Sequence, residues 1–355
     1  MAEPIAQLLL ELINIPSESR EEQAIAEFVC EKMPVPLMYR HEETLLFETA
    51  RREGRPFVLL VGHLDTVPAQ GNLPGRISDS VVQGLGASDM KGGLAVMIEL
   101  GRLLMDEETD VHAEVDVGFL FFPREELSAA ESPLPDLFSA VSRVSKADLV
   151  IVLEPTDNTI QAGCLGNLVA QVVVQGESAH SARPWLGKNA INLAFERLSP
   201  LAGIPPNPVE VGGLTFREVV SLTTIKGGIA QNVIPDRVEA TLNYRYAPSK
   251  SRQEAEGYLR ELVGADLKIL SNSPPAHVAA QSTLVQQLRS TGEFKVEAKQ
   301  AWTPVAEFAA RGLDAINLGP GATQYAHRAD EQVEIAELNR TLGALLRFVS
   351  IASLD

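Results

Sequence analysis

Residues 57–68 read FVLLVGHLDTVP, an unbroken apolar run that ends in a histidine and an aspartate one residue apart. A short continuous run of this kind suits a strand covered on both faces, as in parallel sheets. The pattern recurs outward from it. VDVGFLFF at 115–122 and DLVIVL at 148–153 read as further buried strands, with helical spacing over 21–33 and 91–105. The second of those helices opens on Gly92 and Gly93, which would let it pack closely on a sheet. The opening segment MAEPIAQLLLELINIP places Ile5, Leu8, Leu9 and Leu12 on one helical face. It lacks the basic segment and small-residue cleavage site of a secretion signal. Helix alternating with buried strand over about residues 1–160 is α/β architecture.

The character changes after residue 164. Strand patterns over 166–177, 217–226, 234–246 and 266–270 enclose helical patterns over 188–199 and 251–263. The order β-α-β-β-α-β is that of a ferredoxin-like α+β unit. SNSPPAH at 271–277 reads as a linker by composition. Helix and strand then resume at 283–291, 305–311 and 314–318, and a helix follows at 335–350. The economical reading is one α/β domain, 1–164 with 278–355, interrupted by a smaller domain, 165–277.

Composition narrows the function. A chain of 355 residues, 45% apolar, is long enough for two real cores. A net charge of −17 repels phosphate backbones and anionic membranes, which argues against nucleic acid or a membrane surface as partner. No stretch is long and apolar enough to span a bilayer. Cys30 and Cys164 form neither a metal pair by spacing nor a disulfide framework, so a cytoplasmic setting is expected.

The candidate chemistry lies at strand ends. His63 and Asp65 follow FVLLV. Glu125 and Glu126, in FPREE, follow VDVGFLFF; Glu154, in LEPT, follows DLVIVL. Asp89, in GLGASDMKGG, sits at the expected N-cap of the 91–105 helix, and His327, in AHRADE, comes after DAINL and a PG turn. In an open α/β sheet the carboxyl edge of the strands is where ligand sites collect. Two histidines and several carboxylates without cysteine suit zinc, cobalt or manganese. So many carboxylates at one point repel one another unless cations separate them, and two divalent ions bridged by a carboxylate resolve this. His63 would ligate while Asp65 orients its imidazole. Singly, each residue has an ordinary reading: a helix cap for Asp89, a solvated loop pair for Glu125 and Glu126, an exposed turn for His327. Their joint placement at strand ends favours the metal site. His41, His112 and His277 have no such setting, and QGLGAS is not a dinucleotide loop, lacking the full G-x-G-x-x-G.

GHLDTVP, GASDMKGG, REE, LEPT and AHRADE, in this order, resemble the signature set of the M20 metallopeptidase and deacylase family. The likeness covers nearly the whole chain. GESAHSARPWLGKNAI, GGIAQNVIPD, NYRYAP, KQAW and NLGPG are similar to its desuccinylase branch of actinobacterial type, which cleaves a succinyl amide of diaminopimelate. The resemblance implies a zinc-hydrolase catalytic domain with a central mixed sheet, and a ferredoxin-like lid domain that forms a homodimer. It implies two zinc ions per subunit, with cobalt able to substitute. His63, Asp89 and Glu154 would hold one ion and His327, Asp89 and Glu126 the other. Glu125 would be the general base and Asp65 would orient His63. His180 would reach the partner subunit's site. Asn232 and Arg245 would bind a small substrate's carboxylate or oxyanion, with Arg183 and Thr303 near an anionic substrate. Departures from the pattern are Arg124, where many relatives carry an acid, and Pro304 and Glu307, where Asp and Arg are expected. The segment GCLGNL lacks an arginine and offers Asn167. These bear on the substrate more than on the reaction. The alternatives are an acetylornithine or other N-acyl-amino-acid deacylase, a dipeptidase, and a non-catalytic binding protein on the same fold, a class that usually loses ligands or the base.

Overall fold

The computed structural model of the chain describes residues 4–108, 112–264 and 266–351. The FVLLVGH segment is a strand, Phe57–His63, buried along its whole length. It lies between Asp116–Phe122 and Leu149–Val152 and runs parallel to both. Ala315–Asn317 continues the parallel set beyond Leu149–Val152. On one side Thr44–Glu48 and then Leu37–His41 add antiparallel strands. On the other, Ile160–Cys164 runs antiparallel and Val296–Lys299 follows it, so the sheet is mixed. The central strands are short and largely apolar because both their faces are covered, with polar residues only at their ends.

Helices Pro4–Ile13, Lys91–Met105 and Ile335–Val349 pack on one another, and Lys91–Met105 also lies on the central strand. The two glycines at its start are sites of close approach. A Cβ on Gly93 would stand 2.6 Å from the Leu153 carbonyl oxygen, and one on Gly92 2.7 Å from that of Ala87. Backbone cannot yield as a side-chain tip would, so only glycine fits.

By contact density the chain forms two units: 1–162 with 279–297 and 307–355, and 163–278 with 298–306. The second unit holds an antiparallel sheet in the order Asn207–Val211, Leu214–Gly227, Arg237–Tyr246, Gly166–Gln175, Lys268–Ser273. Buried and half-buried residues alternate strictly along Gly166–Gln175 and Arg237–Tyr246. The buried rows pack on helices Ala190–Leu198 and Arg252–Val263 in one core with Leu168, Val172, Leu242 and Leu259. The opposite row carries Asn167, Asn243 and Arg245.

Two readings need correction. The segment 271–277 is not simply a linker: Ser271–Ser273 continue the strand Lys268–Ser273 and pair with Val169, Leu168 and Asn167. Residues 298–306 belong with the second unit rather than with the rest of 278–355. Gln300 bonds the backbone of Arg217 and Thr215 there, and Trp302 Nε1 donates to the Pro274 carbonyl at 3.1 Å. Among the described residues no helix is long and apolar enough to cross a membrane.

Replacing Gly93 by alanine adds a methyl group where a backbone oxygen stands. Overpacking of this kind costs about 1–3 kcal/mol, so G93A should unfold several degrees below the wild type in a thermal melt. An unchanged melting temperature would show that the helix can slide away from Leu153.

Candidate active site

Parallel strands that start at one edge of a sheet end together at the other, and the chemistry collects there. His63 closes its strand and is buried. Its Nδ1 lies 3.0 Å from the Asp65 carbonyl oxygen and 3.5 Å from Asp65 Oδ1, and its Nε2 lies 3.3 Å from Asp89 Oδ1. Asp65 therefore reaches the imidazole from the segment that follows the strand. The other oxygen of Asp89, Oδ2, lies 3.4 Å from His327 Nε2, which is also 2.9 Å from Glu126 Oε1. Two groups of ligand atoms result, His63 with Asp89 and Glu154, and Asp89 with Glu126 and His327, the atoms of each within 4.8 Å of one another. Asp89 belongs to both. It is not the helix cap expected from its position: Met90 is the N-cap of Lys91–Met105, and no side chain caps that helix. The carboxylate is left free to face the imidazoles.

A second set of acids holds these residues in place. Asp65 Oδ1 accepts from the Glu125 backbone N–H at 2.9 Å. Its Oδ2 accepts from the Glu126 N–H at 3.0 Å and from Ser19 Oγ at 2.7 Å. The buried Glu22 accepts from the N–H of Arg124, a residue with a left-handed φ of 66°. The Arg124 guanidinium pairs with Glu42 at 3.0 Å, away from Glu125. Buried Glu331 accepts from the N–H groups of Gly86, Ser88 and Asp89 at 2.9, 3.0 and 2.9 Å. Lys91, also buried, donates to the Ile15 carbonyl at 2.8 Å. Ser19, Glu22, Glu331 and Lys91 were not picked out by sequence reasoning. Glu331 ends the AHRADE motif, and the other three carry no periodic signal.

The electrostatics follow from this crowding. Burial opposes protonation of His63, but Asp65 and Asp89 outweigh it and raise its pKa well above the ordinary value. Hydrogen bonds to Asp89 and Glu126 lift His327 to about 10. Burial lifts the Glu125 carboxyl well above the usual range, and the Glu154, Glu126 and Asp89 charges add to it. For Asp89, the two imidazoles overcome burial and hold the carboxyl far below its usual value. A site that raises two imidazoles in this way has strongly negative potential. Its nitrogen and oxygen donors fit divalent cations.

The remaining candidates lie in the second unit. His180 and Val233 pair across a two-residue ladder, and Ser181 N–H donates to the Asn232 carbonyl at 3.0 Å, so His180 and Asn232 are neighbours, both exposed. His180 Nδ1 accepts from the Ala182 N–H at 3.0 Å, which leaves its proton on Nε2. Arg183 N–H donates to the His180 carbonyl, and its residue is exposed. Arg245 is half-buried on the open sheet face, its Nε donating to Asn243 Oδ1 at 2.9 Å. Thr303 is buried. In the first unit, Glu307 pairs with Arg311 at 3.4 Å.

Comparison with known proteins follows the same lines. The sequence profile of peptidase family M20/M25/M40 matches residues 59–350. A succinyl-diaminopimelate desuccinylase of Corynebacterium glutamicum is 33% identical over 362 residues, covering 99% of this chain and 97% of its own. A Mycobacterium tuberculosis protein provisionally given the same name is 36% identical over 351 residues, covering 97% of each. Aminopeptidase PepT from Bacillus cereus has the same fold, with a TM-score of 0.78 at 19% identity over 98% of this chain and 97% of that one. With the profile spanning most of its length and full-length relatives above 30% identity, the chain belongs to peptidase family M20/M25/M40 and is a hydrolase of linear amides.

Proposed function

We propose that the protein is a dinuclear zinc amidohydrolase that cleaves N-succinyl-L,L-2,6-diaminopimelate to succinate and L,L-diaminopimelate, in the cytoplasmic route to lysine and cell-wall precursors. The observation that carries the metal reading is the double use of Asp89, whose two oxygens face different imidazoles in two ligand groups. The substrate reading rests on the two desuccinylase-named relatives. His63, Asp89 and Glu154 would hold one ion, and His327, Asp89 and Glu126 the other. When bound, the ions supply positive charge that offsets the carboxylates and makes water more acidic.

The chain's own residues do the rest. Glu125 takes a proton from the attacking water and passes it to the departing amine. A carboxyl lifted above its usual range is better matched to that transfer near neutral pH. Asp65 holds the Glu125 and Glu126 backbone and the His63 ring, so base and ligands keep one geometry. His180, with its proton on Nε2, would act in the partner subunit's site as a donor for the developing oxyanion. Arg245 takes the acyl carboxylate and Asn232 assists, while Arg183 and Thr303 complete the anionic pocket.

A homodimer through the second unit is part of this reading. Helix Ala190–Leu198 buries Ala190, Ala194 and Leu198 but exposes Ile191 and Phe195. The strand Leu214–Gly227 pairs with Asn207–Val211 only as far as Glu218, which leaves an open edge with Leu222 and Ile225 exposed. An open edge beside exposed apolar side chains is a surface that pairs with another chain.

Three measurements test these points. Zinc-loaded enzyme should hydrolyse the succinyl substrate in preference to N-acetylornithine and to a dipeptide panel. Preference for another amide would leave the metal chemistry and remove the substrate. The His327 imidazole is lifted to about 10 and that of His63 is raised above its ordinary value, so protonation competes with ligation at both. Calorimetric titration of metal-free protein with zinc at pH 7, in buffers of differing ionisation enthalpy, should therefore show a net release of protons. Affinity should weaken as pH falls, and no net release would count against these histidines as ligands. Light scattering should report a dimer that F195E or I225E converts to monomer; a wild-type monomer would remove the interface.

A further inference from the structure

The open face of the second unit's sheet carries a ladder of three side chains. Arg245 donates from Nε to Asn243 Oδ1 at 2.9 Å, and Asn243 donates from Nδ2 to Asn167 Oδ1 at 2.7 Å. The register accounts for both contacts. Asn243 stands two residues before Arg245 on the same face, and Asn167 lies directly opposite Arg245 on the neighbouring strand. All three are half-buried. Asn243 is committed at both ends, its oxygen to the guanidinium and its nitrogen to Asn167. With Nε tied back, the two Nη groups of Arg245 form the edge that remains for a planar, bidentate anion.

The choice of amides is the informative part. The chain has 47 acidic residues against 30 basic ones, and other half-buried arginines in it meet carboxylates. Arg143, for one, contacts Glu48 and Asp116 at 3.0 and 2.9 Å. Arg245 meets Asn243 instead, itself bonded to Asn167. Among the described residues no carboxylate acts on it, and burial lowers its basicity. An amide oxygen orients a guanidinium as an aspartate would, but leaves its charge unneutralised. A desolvated cation held in this way costs free energy in the free protein and is best satisfied by an incoming anion.

We infer that Asn243 and Asn167 are positioning residues that set selectivity for acyl groups ending in a carboxylate, by aiming Arg245 while leaving its charge available. The inference rests on the reading in which Arg245 takes the acyl carboxylate. Succinate and butyrate are acids of equal length that differ in one terminal carboxylate, so the ratio of their competitive inhibition constants isolates that contact whatever turnover rate each variant retains. The ratio is measured on zinc-loaded wild type, N243A, N243D, N167A, R245A and the N243A/R245A double variant, with thermal melts alongside. In the wild type succinate should bind the tighter by a wide margin. Loss of a well-aimed charge-assisted contact should cut the preference about tenfold in N243A and by a smaller factor in N167A. N243D, nearly isosteric, should lose at least as much as N243A because its carboxylate competes for the guanidinium. R245A should bring the ratio near unity, and adding N243A to it should change nothing further. Butyrate inhibition should stay within about twofold throughout, which a general structural defect would not allow. The inference is overturned if N243A and N243D weaken both inhibitors alike, or if the N243A effect persists without Arg245. A ratio unchanged in R245A would remove the role of Arg245 itself, and the inference with it. A ratio lost in R245A but kept in the Asn243 variants would remove the positioning role alone.

Discussion

The carboxylate of Asp65 accepts hydrogen bonds from two segments far apart in sequence, through the hydroxyl of Ser19 and the backbone N–H groups of Glu125 and Glu126. It is buried, so each of those bonds offsets the cost of taking a charge out of water, and losing any one of them would leave part of that cost uncovered. Asp65 is thereby tied to two strand ends and to the segment after the first helix. His63 stands on one of those ends, and the Glu125–Glu126 pair on the other. Glu331 does the same for the loop 86–89, gathering three N–H groups and so placing Asp89. The acids around the site thus divide by task. Asp65, Glu22 and Glu331 accept from backbone N–H groups, and Asp89 and Glu126 face the imidazoles.

The two ends of the central strands make an instructive contrast. At the amino end, Glu48 and Asp116 are also buried, but Arg143 lies between them and stacks over Phe57 with its guanidinium carbon 4.1 Å from the ring centroid. Arg51, 3.5 Å from Glu48, supplies a second cation, so the two carboxylates are offset by two guanidinium groups. At the carboxyl end the ion pairs of Asp89 and Glu126 among the described residues are with imidazoles. Histidine is a partner that can release its proton and bind a metal in its place, whereas arginine cannot. The same sheet therefore holds one acid cluster built for stability and one whose negative potential is left to be used.

The Arg245 ladder extends this logic to the second unit. Strict alternation along two antiparallel strands sends one row of side chains into the core and the other to the open face. Asn167, Asn243 and Arg245 share the open row through register alone. Helices cover only the opposite side, so these polar side chains satisfy one another across the sheet.

Much of this was legible in the amino-acid sequence. FVLLV, VDVGFLFF and DLVIVL mark buried strands because a segment covered on both faces must be apolar throughout, and the residues that follow each run fall at one edge once the strands are parallel. The Gly92–Gly93 step, the ferredoxin-like order and the set of His63, Asp89, Glu126, Glu154 and His327 as candidate ligands were all readable on those grounds. What only the tertiary structure decided is how polar groups far apart in sequence meet. Ser19 on Asp65, Glu331 on the 86–89 loop, the freeing of Asp89 from its expected capping role and the transfer of 298–306 to the second unit leave no periodic trace. Periodicity reports that a segment is buried against something. A hydrogen bond between residues tens or hundreds of positions apart depends on one local geometry and on no repeating pattern, so it becomes visible only when the chain has folded.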